Sequence, residues 1–537
     1  RRELPCRQIV PGKRPALRRN HPAGTGIIAA PGVRVNLAGA CSWIIIRYGD
    51  PLFRSPINPG LSWVVPAMSL AVFAQSAYVF SASVLALYGF NILVLTLLFL
   101  RSRQSRFTPR PLSDWPHVTV QLPLFNERLV VERLIDAIVR LDYPPQRLSI
   151  QVLDDSTDET TLLARRRVAL HRARGVDIIC LHREHRTGNK AGALAAGLRC
   201  AAGEFVAVFD ADFVPPVDFL KRTMPHFFTS RVGMVQTRWG HLNATHSMLT
   251  RAQALALDGH MVVEQVARSA NGLLFNFNGS AGVWRRDCIE SSGGWQADTL
   301  AEDLDLSYRA QLRGWEFHYL PNVVVPAEVP RSLLAFKQQQ FRWVKGSVQC
   351  LLKHAARVVR AEFSLWKRVQ GLLHLGGYLM HPMMLCLLLA SMPVVLLGGA
   401  GNVMPGLLGL AGLGPPVLYA VAQTNAYPRG IKRALWFPAL MLLGVGIALN
   451  NTRAVLEALS GHRPTEFLRT PKTAAGCGAG GRAYALSTDW STWVEFALAG
   501  FALAAAALAL QRLPGLAPFL LLFALGFLVV AVMGLLE

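Results

Sequence analysis

Between positions 61 and 100 the chain carries no charged residue. A helix crosses the apolar core of a bilayer with roughly 20 apolar residues. The run therefore forms one long helix, best placed over about 78–100, or a tight hairpin of two. Arg101, Arg103, Arg106 and Arg110 follow at once. Basic residues collect on the cytosolic side of a span, so the next segment is expected in the cytosol. The basic residues 1–60 prefer the same side, which favours the hairpin, and both solutions stay open. Further apolar stretches lie at 372–397, 403–421, 434–449, 493–510 and 513–536. A basic, Gly-rich loop, "GHRPTEFLRTPKTAAGCGAGGR", follows the third of them. If that loop is cytosolic, an even number of crossings precedes it. The short 434–449 run, with "NNTRAVLEAL" after it, is then expected to be interfacial or re-entrant.

Composition narrows the function classes. The 537 residues are 52% hydrophobic, and 55 Lys and Arg against 33 Asp and Glu leave a net charge of +22. Such an excess fits nucleic acid, anionic lipid or a phosphorylated substrate. The basic flanks of membrane spans account for much of it, and no nucleic-acid partner is expected. Eight scattered cysteines form no C-x-x-C pair, so neither a zinc site nor a disulfide framework is indicated, and free thiols suit a reducing compartment. A transporter or sensor driven by nucleotide would carry a GxxxxGK[ST] loop, and the sequence has none.

Residues 116–330 alternate between two periodicities. "HVTVQLPLF", "SIQVLDD", "VDIICLHRE" and "EFVAVFDADF" are apolar, β-rich runs; "ERLVVERLIDAIVRL" and "NKAGALAAGLRCA" have helical period. Continuous apolar strands alternating with helices make a parallel α/β sheet covered on both faces. Ligands bind such sheets at the carboxyl ends of the strands. Acidic clusters sit at two of those ends.

In "FDADF", Asp210 and Asp212 stand one residue apart. Two such carboxylates can share Mg²⁺ or Mn²⁺, which take oxygen ligands and complete their shells with phosphate oxygens; D-x-D also fits a solvated turn. In "VLDDSTDE", Asp154 and Asp155 can accept from a base or ribose, or Asp155, Ser156 or Thr157 can cap the next helix. Lys190, between glycines at a helix start, suits a phosphate. "LAEDLDL" offers Glu302, Asp303 and Asp305: a general base for a hydroxyl, or an acidic helix N-terminus favoured by the dipole. In "QQQFRW", Gln339 and Arg342 can grip a diphosphate and the Trp343 indole can underlie a sugar ring. An aromatic anchor with a snorkelling Arg at the bilayer surface is the plainer alternative.

Taken in order, "VQLPLFNE", "IQVLDDSTDET", "KAGAL", "VAVFDADF", "FNFNGSAGVWR", "GGW", "AEDLDLSYRA" and "QQQFRW" resemble the processive family 2 glycosyltransferases of the cellulose synthase superfamily, most nearly the cellulose-synthase-like A and C branch and its bacterial glucomannan and glucan synthase-type relatives. The resemblance covers roughly 116–536. It implies a Rossmann-like, mainly parallel α/β domain of the glycosyltransferase-A type, cytosolic and joined to a transmembrane helical bundle with interfacial helices. It implies an inverting hexosyltransferase that polymerises sugar from GDP-mannose or UDP-glucose into β-linked mannan, glucomannan or glucan and passes the chain across a plasma, inner or Golgi membrane. A non-processive transferase acting on a lipid or short acceptor is the alternative.

By the same resemblance, Asp303 is the base, with Glu302 beside it. Asp154, Asp155, Lys190, Asp210, Gln339 and Arg342 bind the donor, Asp212 and Asp210 hold the metal, and Trp343, Asn278 and Gly279 meet the acceptor. Phe467, Thr470 and Lys472 of "FLRTPK" form a gating loop. Ala301 departs from the Thr of the usual T-E-D triplet, and Arg469 and Pro471 depart from the gating-loop pattern. The implied organisation is a basic disordered segment over 1–60, membrane segment over 61–100, catalytic domain over 101–360, transmembrane and interfacial helices over 361–451, an interfacial helix and gating loop over 452–490, and a transmembrane hairpin over 491–537.

Overall fold

A computed structural model describes residues 61–102, 112, 114–397, 409, 412–461 and 490–537. The expected gating-loop residues Phe467, Thr470 and Lys472 lie outside the described residues, as does segment 1–60. The first apolar run is a single helix, α1 (Leu61–Arg101), not a hairpin. Ala74, Tyr78 and Ala82 on one side of it pack against Ala390 and Val394, while Phe73, Phe80, Leu87 and Phe90 are exposed, and Arg101 ends it.

The α/β domain alternates as its periodicities predict: β1 (Val118–Leu124), α2 (Val131–Val139), β2 (Leu148–Asp154), α3 (Thr160–Ala173), β3 (Ile178–His182), α4 (Asn189–Arg199) and β4 (Phe205–Val208). Then come β5 (Val232–His241), α5 (Met248–Asp258), a π-helical segment (Gly259–Glu264), α6 (Gln265–Ala270), β6 (Gly282–Arg285), α7 (Glu302–Gln311) and β7 (Glu316–Ala327). The seven strands are ordered β3-β2-β1-β4-β6-β5-β7. Four pairings are parallel and only β6 runs against its neighbours. The reason is the route of the chain. It leaves β5 at the carboxyl edge of the sheet, makes its helical excursion there, and re-enters at the same edge, pairing Gly282 with Val208. The loop preceding β6 is thereby delivered beside the acids that follow β4.

Both faces of the sheet are covered. Val118, Val120, Leu122 and Leu124 of β1 pack with Leu134, Ile135 and Ile138 of α2. On the opposite face β1 and β2 present a buried polar ladder, Thr119 with Ser149 at 3.0 Å and Gln121 Nε2 donating to Gln151 Oε1 at 3.0 Å. Helix α4 crosses that ladder at Gly197, where a Cβ would lie 2.6 Å from Gln121 Nε2.

Helix α8 (Leu333–Arg360) carries the chain from this domain into α9 (Leu365–Leu375), α10 (Met380–Leu397), α11 (Gly414–Ala426), α12 (Phe437–Gly446), α13 (Ala448–Leu459), α14 (Ser491–Arg512) and α15 (Ala517–Leu536). Among the described residues, Ala71–Arg101, Gly377–Leu397, Ser491–Arg512 and Pro514–Leu536 are long and apolar enough to cross a membrane. The 434–449 run is a broken element: the helices on either side of Ile447 bend by 44°. In the 403–421 run, α11 has 13 residues and packs on the catalytic domain through Leu418 and Ala422. Alanines 499, 502, 505, 506 and 509 of α14 let α15 approach closely, the way small residues favour helix packing in lipid.

Helix α8 is tied along its length by three lysines. Lys337 pairs with Glu495 of α14 at 2.6 Å, Lys345 with Glu457 of α13 at 2.9 Å, and Lys353 with Asp305 of α7 at 2.7 Å. One rigid helix thus sets the catalytic helix α7 against the bundle.

Candidate active site

The carboxyl edge of the sheet opens into a cavity of about 230 Å³. Asp155, Lys190, Asp210, Asp212, Asn278, Gly279, Glu302, Asp303, Gln339, Arg342 and Trp343 all line it. Residues drawn from six separate motifs therefore share one space. Trp343 lines the same space as Asp212 and Asp303, so it is part of the cavity wall.

Each side chain is aimed by its element. Asp210 and Asp212 lie just past β4; the Asp210 amide donates to Ser280 Oγ at 2.9 Å, which fixes the β4 loop to the loop before β6. Asp212 is buried, and its carbonyl accepts from Arg133, itself paired with Glu328 at 2.7 Å. Lys190 follows Gly188, whose φ of +74° starts α4. Its ammonium reaches Asp210 Oδ1 at 2.7 Å and donates to Gly279 O at 2.9 Å, with Glu302 Oε1 at 3.7 Å. Gln339, Arg342 and Trp343, spaced three and four apart, share one face of α8. One turn further, Gly346 admits α7: a Cβ there would lie 2.8 Å from Ala301 Cβ. Position 301, where the sequence departs from the T-E-D triplet, is thus a helix-packing position.

Electrostatics divides the acids. Desolvation, with the charge of Glu302 beside it, pushes Asp303 up to about 7 against the pull of Lys190. Burial opposes charge on Lys190 too, but Asp210 and Glu302 outweigh it and hold the ammonium above its ordinary value. Burial brings Arg342 down to about 10 despite Glu302 and Asp210; the guanidinium stays charged at neutral pH. The result is a basic-leaning carboxylate beside Lys190, in a cavity that Arg342 also lines, a setting that suits proton abstraction from a hydroxyl and binding of a diphosphate.

Asp154, unlike its neighbour Asp155, does not line this cavity. Its side chain is fully buried and accepts from the Ser156 amide (3.0 Å) and Thr161 Oγ1 (2.7 Å), with His182 Nδ1 at 2.7 Å. Successive strand residues point to opposite faces, so Asp154 braces the strand end while Asp155 faces the cavity, clamped by Arg183 at 2.7 and 2.5 Å.

The cavity also contains residues that no sequence motif singled out: Arg186, Trp239, His241 and Glu328. Arg186 stacks on the Phe125 ring at 3.5 Å. Glu328 directly follows the last residue of β7, so the strand-end rule that marks the other acids marks it too.

The loop before β6 is adapted to a ligand. Asn278 Oδ1 is held by His260 Nε2 at 3.0 Å, a residue presented by the π-helical segment, and such segments are frequent at functional sites. Asn278 Nδ2 is buried and makes no hydrogen bond within the described residues. Gly279 adopts φ +84°, and a Cβ there would lie 2.9 Å from Asp303 Oδ2. Gly279→Ala is expected to strain the backbone by about 1–3 kcal/mol and displace Asp303. Turnover should drop about 10²-fold, as for a catalytic group misplaced by an ångström, with folded protein retained. Kinetics on the purified variant check this; wild-type turnover would contradict it.

Asp210 and Asp212 give an all-oxygen pair, and among the described residues no cluster of three metal-binding side chains occurs. That donor set fits a hard cation such as Mg²⁺ or Mn²⁺, held by one or two carboxylates and completed by water and substrate phosphate.

A Rossmann-like sheet with paired acids at its carboxyl edge, a raised carboxylate and a Q-x-x-R-W helix leading to membrane spans defines a membrane glycosyltransferase. Residues 116–346 match the family model described as glycosyltransferase like family 2. The chain is 33% identical over 470 residues to glucomannan 4-beta-mannosyltransferase 2 of Arabidopsis thaliana, covering 84% of each chain. It is 42% identical over 263 residues to glucomannan 4-beta-mannosyltransferase 1 of Oryza sativa subsp. japonica, covering 48% of this chain and 50% of that one. The solved mannosyltransferase PcManGT from Pyrobaculum calidifontis, in complex with GDP-Man and Mn2+, shares its fold at a TM-score of 0.50 and 23% identity, covering 73% of this chain and 99% of that one. The chain belongs to glycosyltransferase family 2, and its relatives include proteins named glucomannan 4-beta-mannosyltransferase.

Proposed function

We propose that the chain is a processive, inverting β-mannan synthase that transfers mannose from GDP-mannose to a growing 4-linked polysaccharide and passes the product across the membrane. The observation that carries this reading is that Asp303, Lys190, Arg342 and Trp343 line one cavity. The relatives' names and the GDP-Man of the solved fold neighbour favour GDP-mannose over UDP-glucose.

In this reading the acceptor sugar rests on the Trp343 indole, with Asn278 Nδ2 donating to one of its oxygens. Asp303 takes the proton of the acceptor hydroxyl, whose oxygen attacks the anomeric carbon opposite the departing diphosphate, so an α-linked donor yields a β-linked product. Arg342, Gln339 and Lys190 hold the diphosphate, and their charge is worth most in a site with little water. Asp155 and Arg183 form the nucleotide end. Asp212 and Asp210 would hold a divalent cation, with Asp212 the principal ligand because Lys190 occupies Asp210 Oδ1. That cation would supply further charge neutralisation on the leaving diphosphate.

Passage is supported by polar side chains inside the helical region. Asn451 Nδ2 lies 3.0 Å from His381 Nε2, and Asn450 Nδ2 donates to Lys337 O at 3.0 Å. Buried polar groups at membrane depth are costly and mark polar routes.

Membranes containing the protein, supplied separately with GDP-mannose and UDP-glucose, test the proposal. Incorporation from GDP-mannose into a β-linked polymer, lost on chelation and restored by Mn²⁺, is the expected result. Transfer from UDP-glucose alone would overturn the donor, and a product extended by a single sugar would overturn processivity.

A further inference from the structure

A second cavity, of about 210 Å³, lies where the catalytic domain meets the bundle. Its walls include Arg251 of α5, Gln423 of α11, Lys432 and Arg433 of the short helix Gly430–Ala434, and Trp436 just before α12. Three cations thus surround one small space. Arg251 Cζ stacks on the Trp436 ring at 4.9 Å. Arg433 is held by Gln423 Oε1 at 2.9 Å and lies over the Tyr427 ring at 3.7 Å, with Asp258 as the nearest acid at 3.8 Å.

The height of this cavity follows from packing. A Cβ on Gly446 would lie 2.3 Å from Gly526 O, and Leu443 and Leu440 cluster with Val530 and Met533. Helix α12 therefore runs antiparallel to α15, and Trp436 is level with the carboxyl end of α15. There Glu537 accepts from the Leu333 and Leu334 amides at the start of α8. This is the boundary between spans and catalytic domain, the level of lipid headgroups. Beside the cations, Ile431 is 63% exposed and Leu435 76% exposed. A soluble phosphate has no use for these apolar neighbours; acyl chains do.

We propose that this cavity binds the phosphate of an anionic lipid headgroup from the leaflet next to the catalytic domain. Arg251 and Lys432 meet the phosphate oxygens, Trp436 sits at the headgroup level, and Ile431 and Leu435 lie along the acyl chains. Basic pockets at such positions bind anionic headgroups. The site also touches the catalytic cavity. Gln423 and Tyr427 bond Asp258 at 2.8 and 3.2 Å, and His241 Nε2, whose residue lines the donor cavity, lies 3.0 Å from Asp258 Oδ1. A headgroup here steadies the segment that holds Asp258 and, through it, one wall of the active site.

The test uses the full chain in vesicles of phosphatidylcholine with phosphatidylglycerol, extracted and washed, with retained phosphatidylglycerol measured by native mass spectrometry. Wild type should retain it. Arg251→Gln/Lys432→Gln should retain at least about tenfold less. Lys432→Gln alone, at an exposed position, provides a variant that folds and should show a smaller loss. Arg357→Gln/Arg360→Gln, which removes two exposed cations of α8 outside the cavity, should match wild type. Equal retention by the double variant, or an equal loss in the α8 variant, would overturn the proposal. So would displacement of phosphatidylglycerol by millimolar inorganic phosphate, which would mark a soluble-phosphate site.

Discussion

Replacing Asp303 by Asn should abolish polymer synthesis while leaving the protein folded. The carboxylate stands in the first turn of α7, at the wall of the candidate active-site cavity, and its raised proton affinity suits it to accept a proton near neutrality. An amide of the same shape keeps the Leu304 amide contact, now 2.8 Å from Asp303 Oδ1, but cannot act as a base. Removal of a general base costs about 10²- to 10⁴-fold in rate. Donor binding, read by nucleotide-sugar titration, should persist. The wild-type enzyme should show a matching pH dependence. Only the deprotonated form of Asp303 is competent, so kcat/KM should rise with pH and level off above about 7, the value to which desolvation and Glu302 push it. A limb near the ordinary aspartate value, or an active Asp303→Asn protein, would contradict the assignment.

Asp305→Asn, two residues on, should have the opposite phenotype: little folded protein to assay. Asp305 is fully buried and points away from the cavity into the packing of α7 on α8. Arg309 reaches it at 2.7 and 2.8 Å, His354 at 2.8 Å and Lys353 at 2.7 Å. Burial alone would raise its proton affinity, but His354, Lys353 and Arg309 together hold it well below the usual carboxylate range. The stabilisation is in place above the ordinary aspartate value and is lost as pH falls through the depressed one. Removing one member of a buried charged network costs about 3–5 kcal/mol, because the partners stay buried without their counter-charge. Thermal unfolding of the two variants in detergent separates the roles: Asp303→Asn should unfold near the wild-type temperature, and Asp305→Asn should be strongly destabilised. Similar midpoints for the two would argue against this division.

The contrast between these neighbours shows what the sequence made legible. "AEDLDL" announced an acidic helix start, and the helical period places residues 303 and 305 on different faces; which face meets substrate depends on α8, a contact some forty residues away in the chain. The acids after β2 and β4 were readable because strand ends in such sheets gather ligands. Asp154 and Asp155 look alike in the sequence, because a strand turns adjacent side chains to opposite sides and one residue decides which. Glu328 obeys the same strand-end rule at β7 but lacks a paired acid to draw attention. The antiparallel β6 is a four-residue strand whose direction follows from where the chain re-enters the sheet, not from any local pattern. The single α1 helix and the break at Ile447 are set by packing against partners distant in sequence. The lysine ties along α8 have no local signature, since each carboxylate comes from a different element.

One cavity should bring donor, acceptor and base together at the foot of the membrane helices. A cryo-EM structure of the protein with GDP-mannose and Mn²⁺ tests it most directly. The diphosphate is expected between Arg342, Lys190 and the Asp210–Asp212 pair, with the mannosyl anomeric carbon turned toward Asp303 and Trp343. A donor bound elsewhere, or in this cavity with its sugar turned away from Asp303, would contradict it.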